Sequence, residues 1–208
     1  MTKRSKLLAG AAALALSFSS QAANQHYGFD AGSEGWTAVL GGDPLWIGSG
    51  GNGGGFLQIT DVSNDDFLAV LPAGALGNWS AYLGGTLSFD GRNVNGDSPD
   101  WPTFGLVTLT GAAGTLTLDL IAAGQPPADG QWHHYEVPLT VAAWGATLPA
   151  VLANVTGASI GGEFHAGVTE VVGFDNINIS AAVPEPTTPA LMLAGLALLG
   201  IAGVKRRR

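Results

Sequence analysis

The residue types that hydrolyse glycans are present in this chain, but their spacing does not favour a catalytic site. A typical glycan hydrolase needs two carboxylates facing each other across a cleft. Asp65 and Asp66 are adjacent, so in a strand they would point to opposite faces, and a solvated turn is the simpler interpretation. His133 and His134 are adjacent too, so a strand would keep them from sharing a metal ion. Because the chain also lacks a His-Glu-x-x-His motif and a phosphate loop, we predict a non-catalytic protein.

Asp175 is a candidate for binding rather than catalysis. It has the same parity as Ile177 and Ile179, so we expect its carboxylate to point toward the core. A buried carboxylate needs a partner. Backbone N–H groups, Arg92 and a calcium ion, which takes several oxygen ligands, are the three alternatives.

Trp101 is the tryptophan with the clearest case for a ligand. It lies in the polar segment 93–102, between Asp100 and Pro102, where burial has no obvious partner. Aromatic rings can stack on the apolar faces of sugars. We therefore weigh a weak ligand-binding role for Trp101 against simple packing, while Trp36, Trp132 and Trp144 are expected in the core.

The elements that must position these residues are short strands. Glycine accounts for 32 of 208 residues, about double the usual share of roughly 7%, and favours tight turns. Runs with alternating apolar and polar residues predict strands at 57–62, 67–71, 86–90, 104–110, 115–120, 133–139, 158–164 and 171–179. Pro149 suits the first turn of a short helix at 149–154. Residues 48–55 are expected to form a flexible, glycine-rich loop. The pattern predicts an all-β sandwich or jelly roll.

The charge of the central region excludes several partners. Arg92 is the only Lys or Arg between residue 24 and Pro186, and all sixteen Asp and Glu lie in the same region, which gives a formal charge of −15. Such a surface repels nucleic acid and anionic headgroups but suits divalent cations and neutral ligands. There is no cysteine, so disulfides do not contribute to the fold.

The two ends of the chain are not expected to belong to the folded domain. Residues 1–23 combine a basic start, an apolar run at 7–18 and small residues at 20–22, which predicts a removable signal peptide. At the other end, Pro184, Glu185 and Pro186 precede an apolar run at 190–204 and a basic cluster at 205–208. Fifteen residues make a short membrane helix. The basic cluster should stay cytoplasmic, so the domain before it should lie outside.

This tail resembles the PEP-CTERM sorting signal of Gram-negative bacteria, in which a Pro-Glu-Pro tripeptide is followed by a short membrane helix and an arginine-rich end. The resemblance implies processing by a membrane-embedded exosortase. It predicts export across the inner membrane, a transient anchor, and a final place on the outer surface or in the extracellular matrix.

Residues 24–181 resemble the laminin B (laminin IV type A) module. The segments that carry the resemblance, in the family's order, are 35–36, 76–87, 132–139, 144, 151–156 and 174–177. The acid that often precedes the family's central strand has no counterpart before residues 105–111. The resemblance implies a jelly-roll sandwich similar to carbohydrate-binding modules, without catalysis.

Jelly rolls of the carbohydrate-binding kind often hold a structural calcium between the first strand and the last. Carried over to this chain, that ion would join Asp175 to Asp30, with Glu34 as a further ligand, while a hydrogen-bonded Asp175 stays the alternative. The leading hypothesis is an exported module that contacts exopolysaccharide, matrix or other envelope proteins. A secreted glycan-active enzyme and a purely structural envelope protein are the rivals.

Overall fold

The computed structural model describes residues 24–183, which form two antiparallel β-sheets packed face to face. The first sheet has the strand order β3-β4-β11-β6-β9, and β1 pairs with the C-terminal part of β11. Its strands are β1 (Gln25–Tyr27), β3 (Gly42–Ile47), β4 (Phe56–Asp61), β6 (Thr86–Asn93), β9 (His133–Pro138) and β11 (Val171–Ser180). The predicted all-β jelly-roll sandwich is confirmed.

The second sheet has the order β2-β5-β10-β7-β8. Its strands are β2 (Thr37–Val39), β5 (Leu68–Val70), β7 (Val107–Gly111), β8 (Gly114–Leu118) and β10 (Val155–Gly161). Two short helices, α1 (Val141–Trp144) and α2 (Leu148–Leu152), lie between β9 and β10, and two 3-10 turns occupy Ala73–Ala75 and Ser80–Tyr82. The side chain of Thr140 caps α1 by accepting from the Ala143 N–H, and Pro149 stands in the first turn of α2 as predicted.

The core lies between the sheets because alternate residues of each strand point inward. An aromatic group at its centre is formed by Phe89, Phe104, Tyr135 and Phe174, with the Phe104 and Phe174 rings stacked at 6.1 Å. Gly91 leaves room for this group, since a Cβ there would lie 2.7 Å from the Phe104 ring. Trp36, Trp79 and Trp144 are buried, whereas Trp132 covers Gly173 on the outer face of the first sheet.

A β-bulge in β11 changes the direction of Asp175. The register with β6 shifts between Asp175 and Asn178, and Asn176 has φ +46°. Phe174 and Ile177 are therefore both fully buried although they are three residues apart. The expectation that Asp175 points into the core was wrong in direction, because the bulge breaks the parity with Ile177. Asp175 is buried, but on the outer face of the first sheet.

Candidate functional site

The glycine-rich loop at 48–55 covers the outer face of the first sheet at Asp175. The backbone N–H of Asn52 donates to Asp175 Oδ2 at 2.6 Å, and its side-chain amide donates to Asp90 at 2.8 Å. Arg92 and Trp132 both donate to the carbonyl of Gly50. The sequence predicted a flexible loop here, but the loop is held against the sheet by side chains from β6 and β11 and by Trp132, which directly precedes β9.

Asp175 belongs to a row of titratable groups across three strands. Asp90 lies opposite Asp175 in the register of β6 and β11, and His134 lies opposite Asp90. His134 Nδ1 is 2.7 Å from Asp90 Oδ1, and this hydrogen bond raises the pKa of His134. Burial raises the pKa of Asp175, while N–H groups of Asn176 and Asn52 oppose the shift. Both oxygens of Asp175 thus accept from backbone N–H groups. This arrangement matches the alternative to calcium, in which hydrogen bonds alone compensate the buried carboxylate.

The other two predicted calcium ligands are exposed and have different neighbours. Asp30 contacts the same loop, because a Cβ on Gly54 would clash with Asp30 Oδ1, and the charge of Asp30 helps raise the pKa of Asp175. The charge of Glu34 acts instead on Tyr27. The structure therefore brings Asp30 and Asp175 toward one loop and directs Glu34 to the neighbourhood of Tyr27.

Trp101 lines a cavity of about 200 Å³ at one end of the sandwich. Its indole N–H donates to Asp66 Oδ1 at 3.0 Å, and its backbone N–H donates to the carbonyl of Phe164. Trp101 is 40% exposed, so part of its surface meets solvent while the bond to Asp66 restrains the ring. The lining residues are Asn64, Asp66, Trp101, Glu163, Ala166 and Gly167.

The wall of this cavity is tied to the polar loop that carries Trp101. Asp100 Oδ1 accepts from the Ala166 N–H at 2.9 Å and lies 3.0 Å from His165 Nδ1. The Thr169 hydroxyl donates to Asp97 Oδ2 at 2.7 Å. Segment 165–169 and loop 93–102 therefore form one hydrogen-bonded unit around the cavity.

Three buried acids behind the cavity were not singled out in the sequence. Asp61, Glu163 and Glu170 are 2%, 4% and 0% exposed, and one carboxylate oxygen from each lies within 4.8 Å of the others. Burial, followed by the neighbouring Glu170, raises the pKa of Glu163 to about 9. This acid cluster has the donor atoms to hold a metal ion.

The signal for Asp61 was present in the sequence. Asp61 continues the inward parity of Leu57 and Ile59 at the end of β4, so the alternation already places a carboxylate at a core position. Glu163 and Glu170 are 102 and 109 residues away from it in the chain, and no spacing motif connects them.

The adjacent residues considered for catalysis do not converge on one centre. Asp65 is exposed in the turn after β4, while Asp66 binds the Trp101 indole. His133 lies 3.0 Å from Asp129, and His134 faces Asp90 instead. The two histidines therefore occupy different environments, as the alternation of the strand predicted.

The predicted signal peptide at 1–23 and the sorting residues Pro184, Glu185 and Pro186, with the short membrane helix that follows them, lie outside the described residues. Within residues 24–183, no helix is long and apolar enough to cross a membrane.

The comparisons with known proteins identify the tail and the fold. Residues 182–208 match the PEP-CTERM protein-sorting motif, so the predicted sorting signal is confirmed. No curated protein matches the chain.

Among solved structures, the family 11 carbohydrate-binding module of a cellulosomal cellulase of Clostridium thermocellum is similar with a TM-score of 0.51 and 15% identity, over 79% of this chain and 98% of the module. An exo-beta-agarase is similar with a TM-score of 0.52 and 16% identity, over 77% of this chain but 25% of the agarase. The L4b domain of human laminin alpha-2 is similar with a TM-score of 0.47 and 15% identity, over 60% of this chain and 80% of that domain. At these identities the likeness to the carbohydrate-binding module and to the agarase shows the fold alone.

Proposed function

We propose that this protein is an exported, non-catalytic module that binds a glycan at the Trp101 cavity. The observation that carries the proposal is Trp101, a residue that is 40% exposed beside a polar cavity while its indole N–H is bonded to Asp66 and its backbone N–H to Phe164. Sugars present apolar faces that stack on such rings, and hydroxyl groups that bind amides and carboxylates. Asn64 and Asp66 supply those polar groups next to the ring.

The charge of the domain favours a neutral glycan over an acidic one. Arg92 is the only Lys or Arg among residues 24–183, and it lies over the Trp132 ring with its cation 5.8 Å from the ring centroid. No basic side chain is therefore left to attract a sulfated or carboxylated polymer to the Trp101 cavity. The likeness to a family 11 carbohydrate-binding module supports the general class of ligand.

The sorting tail supports a place in the cell envelope. We expect an exosortase to cut at the Pro184-Glu185-Pro186 segment and release the domain from its transient anchor. The processed protein would then act in adhesion or in contact with exopolysaccharide or other envelope proteins on the outer surface or in the matrix.

Glycan-array binding by protein purified from cells tests the proposal. Trp101→Ala should weaken binding about tenfold or more, since one lost stacking contact is worth on the order of 1.4 kcal/mol. Trp46→Ala is the matched control, because Trp46 is also 40% exposed but lies on the edge strand β3. Equal binding by wild type and Trp101→Ala, with loss in Trp46→Ala, would place the glycan elsewhere.

One observation favours a glycan-active enzyme as the second candidate. Asp66 and Glu163 both line the Trp101 cavity, and the raised pKa of Glu163 is typical of a general acid. Glu163 is nevertheless 4% exposed and belongs to the acid cluster. Turnover of a bound polysaccharide that disappears in Glu163→Gln would establish the enzyme and refute the binding module.

A structural calcium at Asp30, Glu34 and Asp175 stays a prediction. The approach of Asp30 and Asp175 to one glycine loop supports it, and the N–H partners of Asp175 support the alternative. Asp175→Asn should lose a calcium-specific stabilisation that magnesium at equal ionic strength does not provide. An unchanged calcium response in this variant would leave Asp175 as a hydrogen-bonded acid.

A further inference from the structure

The acid cluster joins both sheets at one end of the sandwich. Asp61 ends β4 and Glu170 directly precedes β11, both in the first sheet, and the Asp61 N–H donates to the Glu170 carbonyl at 3.0 Å. Glu163 follows β10 of the second sheet. Three carboxylates from three chain segments thus meet at a point where the sheets approach each other.

Most of the oxygens at this point have no hydrogen-bond partner. They are Asp61 Oδ2, Glu163 Oε2 and both carboxylate oxygens of Glu170. Asp61 Oδ1 accepts from the Ser63 N–H at 3.1 Å, and the Phe67 N–H supports Glu163. Glu163 and Glu170 can share a hydrogen bond only if one of them is protonated. A buried carboxylate without a partner is strongly destabilising, so the ionised cluster requires compensation that these donors do not supply.

In the described part of the chain no Lys or Arg is paired with these three acids, and each histidine is bonded to another group. The single Arg of this part, Arg92, donates to Gly50 on the outer face of the first sheet. A proton on Glu163 would serve one contact to Glu170 and leave Asp61 Oδ2 bare. One divalent cation placed among them would contact all three carboxylates at once.

The geometry agrees with one small ion. Calcium binds oxygen ligands at about 2.3–2.6 Å, so two oxygens on one ion lie no more than about 5 Å apart. The three carboxylate oxygens meet this condition within 4.8 Å. Oxygen-only ligands from three separate segments suit the flexible coordination of calcium better than the strict octahedron of magnesium.

We propose that Asp61, Glu163 and Glu170 form a calcium site that fastens the two sheets together and fixes the wall of the Trp101 cavity. Glu163 lines that cavity, and segment 165–169 between Glu163 and Glu170 is bonded to the Trp101 loop. The site uses none of the residues proposed for calcium near Asp175, so each proposal can fail without the other.

Isothermal titration of calcium into protein purified from cells tests the site. Glu170→Gln removes a charge without changing shape and should bind one calcium fewer per chain than wild type. Asp119→Asn is the matched control, because Asp119 is an exposed acid directly after β8, and this variant should bind the same number of calcium ions as wild type. An equal number in wild type and Glu170→Gln, or no binding by wild type, overturns the proposal.

Thermal unfolding gives a second test, because wild type should be the more stable protein in calcium but not in chelator. At a hundredfold excess over Kd, calcium should raise the wild-type midpoint by roughly 5–10 °C beyond the rise in Glu170→Gln. In chelator, Glu170→Gln should unfold at the same temperature as wild type or higher, because a buried repulsion is gone. A lower midpoint for Glu170→Gln in chelator, together with an equal calcium response, overturns the proposal.

Discussion

Replacing Gly55 by alanine should destabilise the domain, because the glycine loop is packed and not free. A Cβ at Gly55 would lie 2.5 Å from the Phe29 carbonyl oxygen and 2.7 Å from that of Ile47. Both neighbours are backbone atoms, so neither can move aside by a rotamer change. The Phe29 carbonyl also accepts the Trp46 indole N–H at 2.7 Å, and this bond would be strained as well.

The expected loss of unfolding free energy in Gly55→Ala comes from overpacking. Forcing a methyl group into a filled space costs typically 1–3 kcal/mol, and the strained Trp46 hydrogen bond adds about 1 kcal/mol. A loss of about 2–4 kcal/mol corresponds to a fall in the melting temperature of roughly 4–16 °C for a domain of this size. Urea unfolding followed by tryptophan fluorescence measures the first quantity, and calorimetry measures the second.

Gly74→Ala is the matched control for this substitution. Gly74 is exposed, its φ is not positive, and a Cβ there would meet no atom within 4 Å. The unfolding free energy of Gly74→Ala should stay within about 0.5 kcal/mol of that of wild type. If Gly55→Ala and Gly74→Ala unfold alike, the loop at 48–55 yields to substitution and the flexible loop expected from the sequence is the better description.

Two further predictions concern processing and pH. Intact-mass analysis of protein recovered from cells should show a species that begins near Asn24 and ends at the Pro-Glu-Pro segment, and a main form that retains residues 205–208 would contradict the sorting proposal. His134→Gln should lose stability mainly at low pH: the folded pKa of His134 is raised by its bond to Asp90, so the stabilisation is complete below about pH 6.5 and disappears as the pH rises through the folded pKa. Because His134 is half-exposed, we expect His134→Gln to lose about 0.2–1 kcal/mol of unfolding free energy near pH 5.5 and none near pH 9, as measured by urea unfolding. The same loss at both pH values would show that the charge of His134 is not involved.

The central strands were predictable because each has one buried face. The alternation of Leu87 and Phe89 in β6 shows a core face directly, and the same holds for β4 and β9. The strands β1, β2 and β3 were missed for a different reason. The first two have three residues each, too few for a period, and β3 contains Pro44 and is mostly exposed as an edge strand.

Parity alone placed Asp61 correctly but not Asp175, although both are buried acids of the first sheet. Asp61 follows the inward parity of its strand and is buried at its end, so the rule holds there. Asp175 breaks the rule because one extra residue in the bulge turns it outward, and a bulge leaves little trace in a single sequence. Trp101 was identified from its polar surroundings, but its cavity depends on Asn64 and Ala166, which only the fold brings together.

The pair Asp90 and Asp175 and the acid cluster differ in their hydrogen-bond donors, which is why we assign a metal ion to the acid cluster. Asp90 and Asp175 lie under a loop whose N–H groups point at them, so backbone and amide donors compensate their burial. At Asp61 and Glu170 the chain offers few such donors, and it has no lysine or second arginine among residues 24–183. Calcium sites in extracellular modules bind with Kd of about 10⁻⁴–10⁻³ M, weaker than cytosolic sensors. A site in that range would fill only after export, so the acid cluster would complete the stability of the domain in the compartment to which its sorting tail directs it.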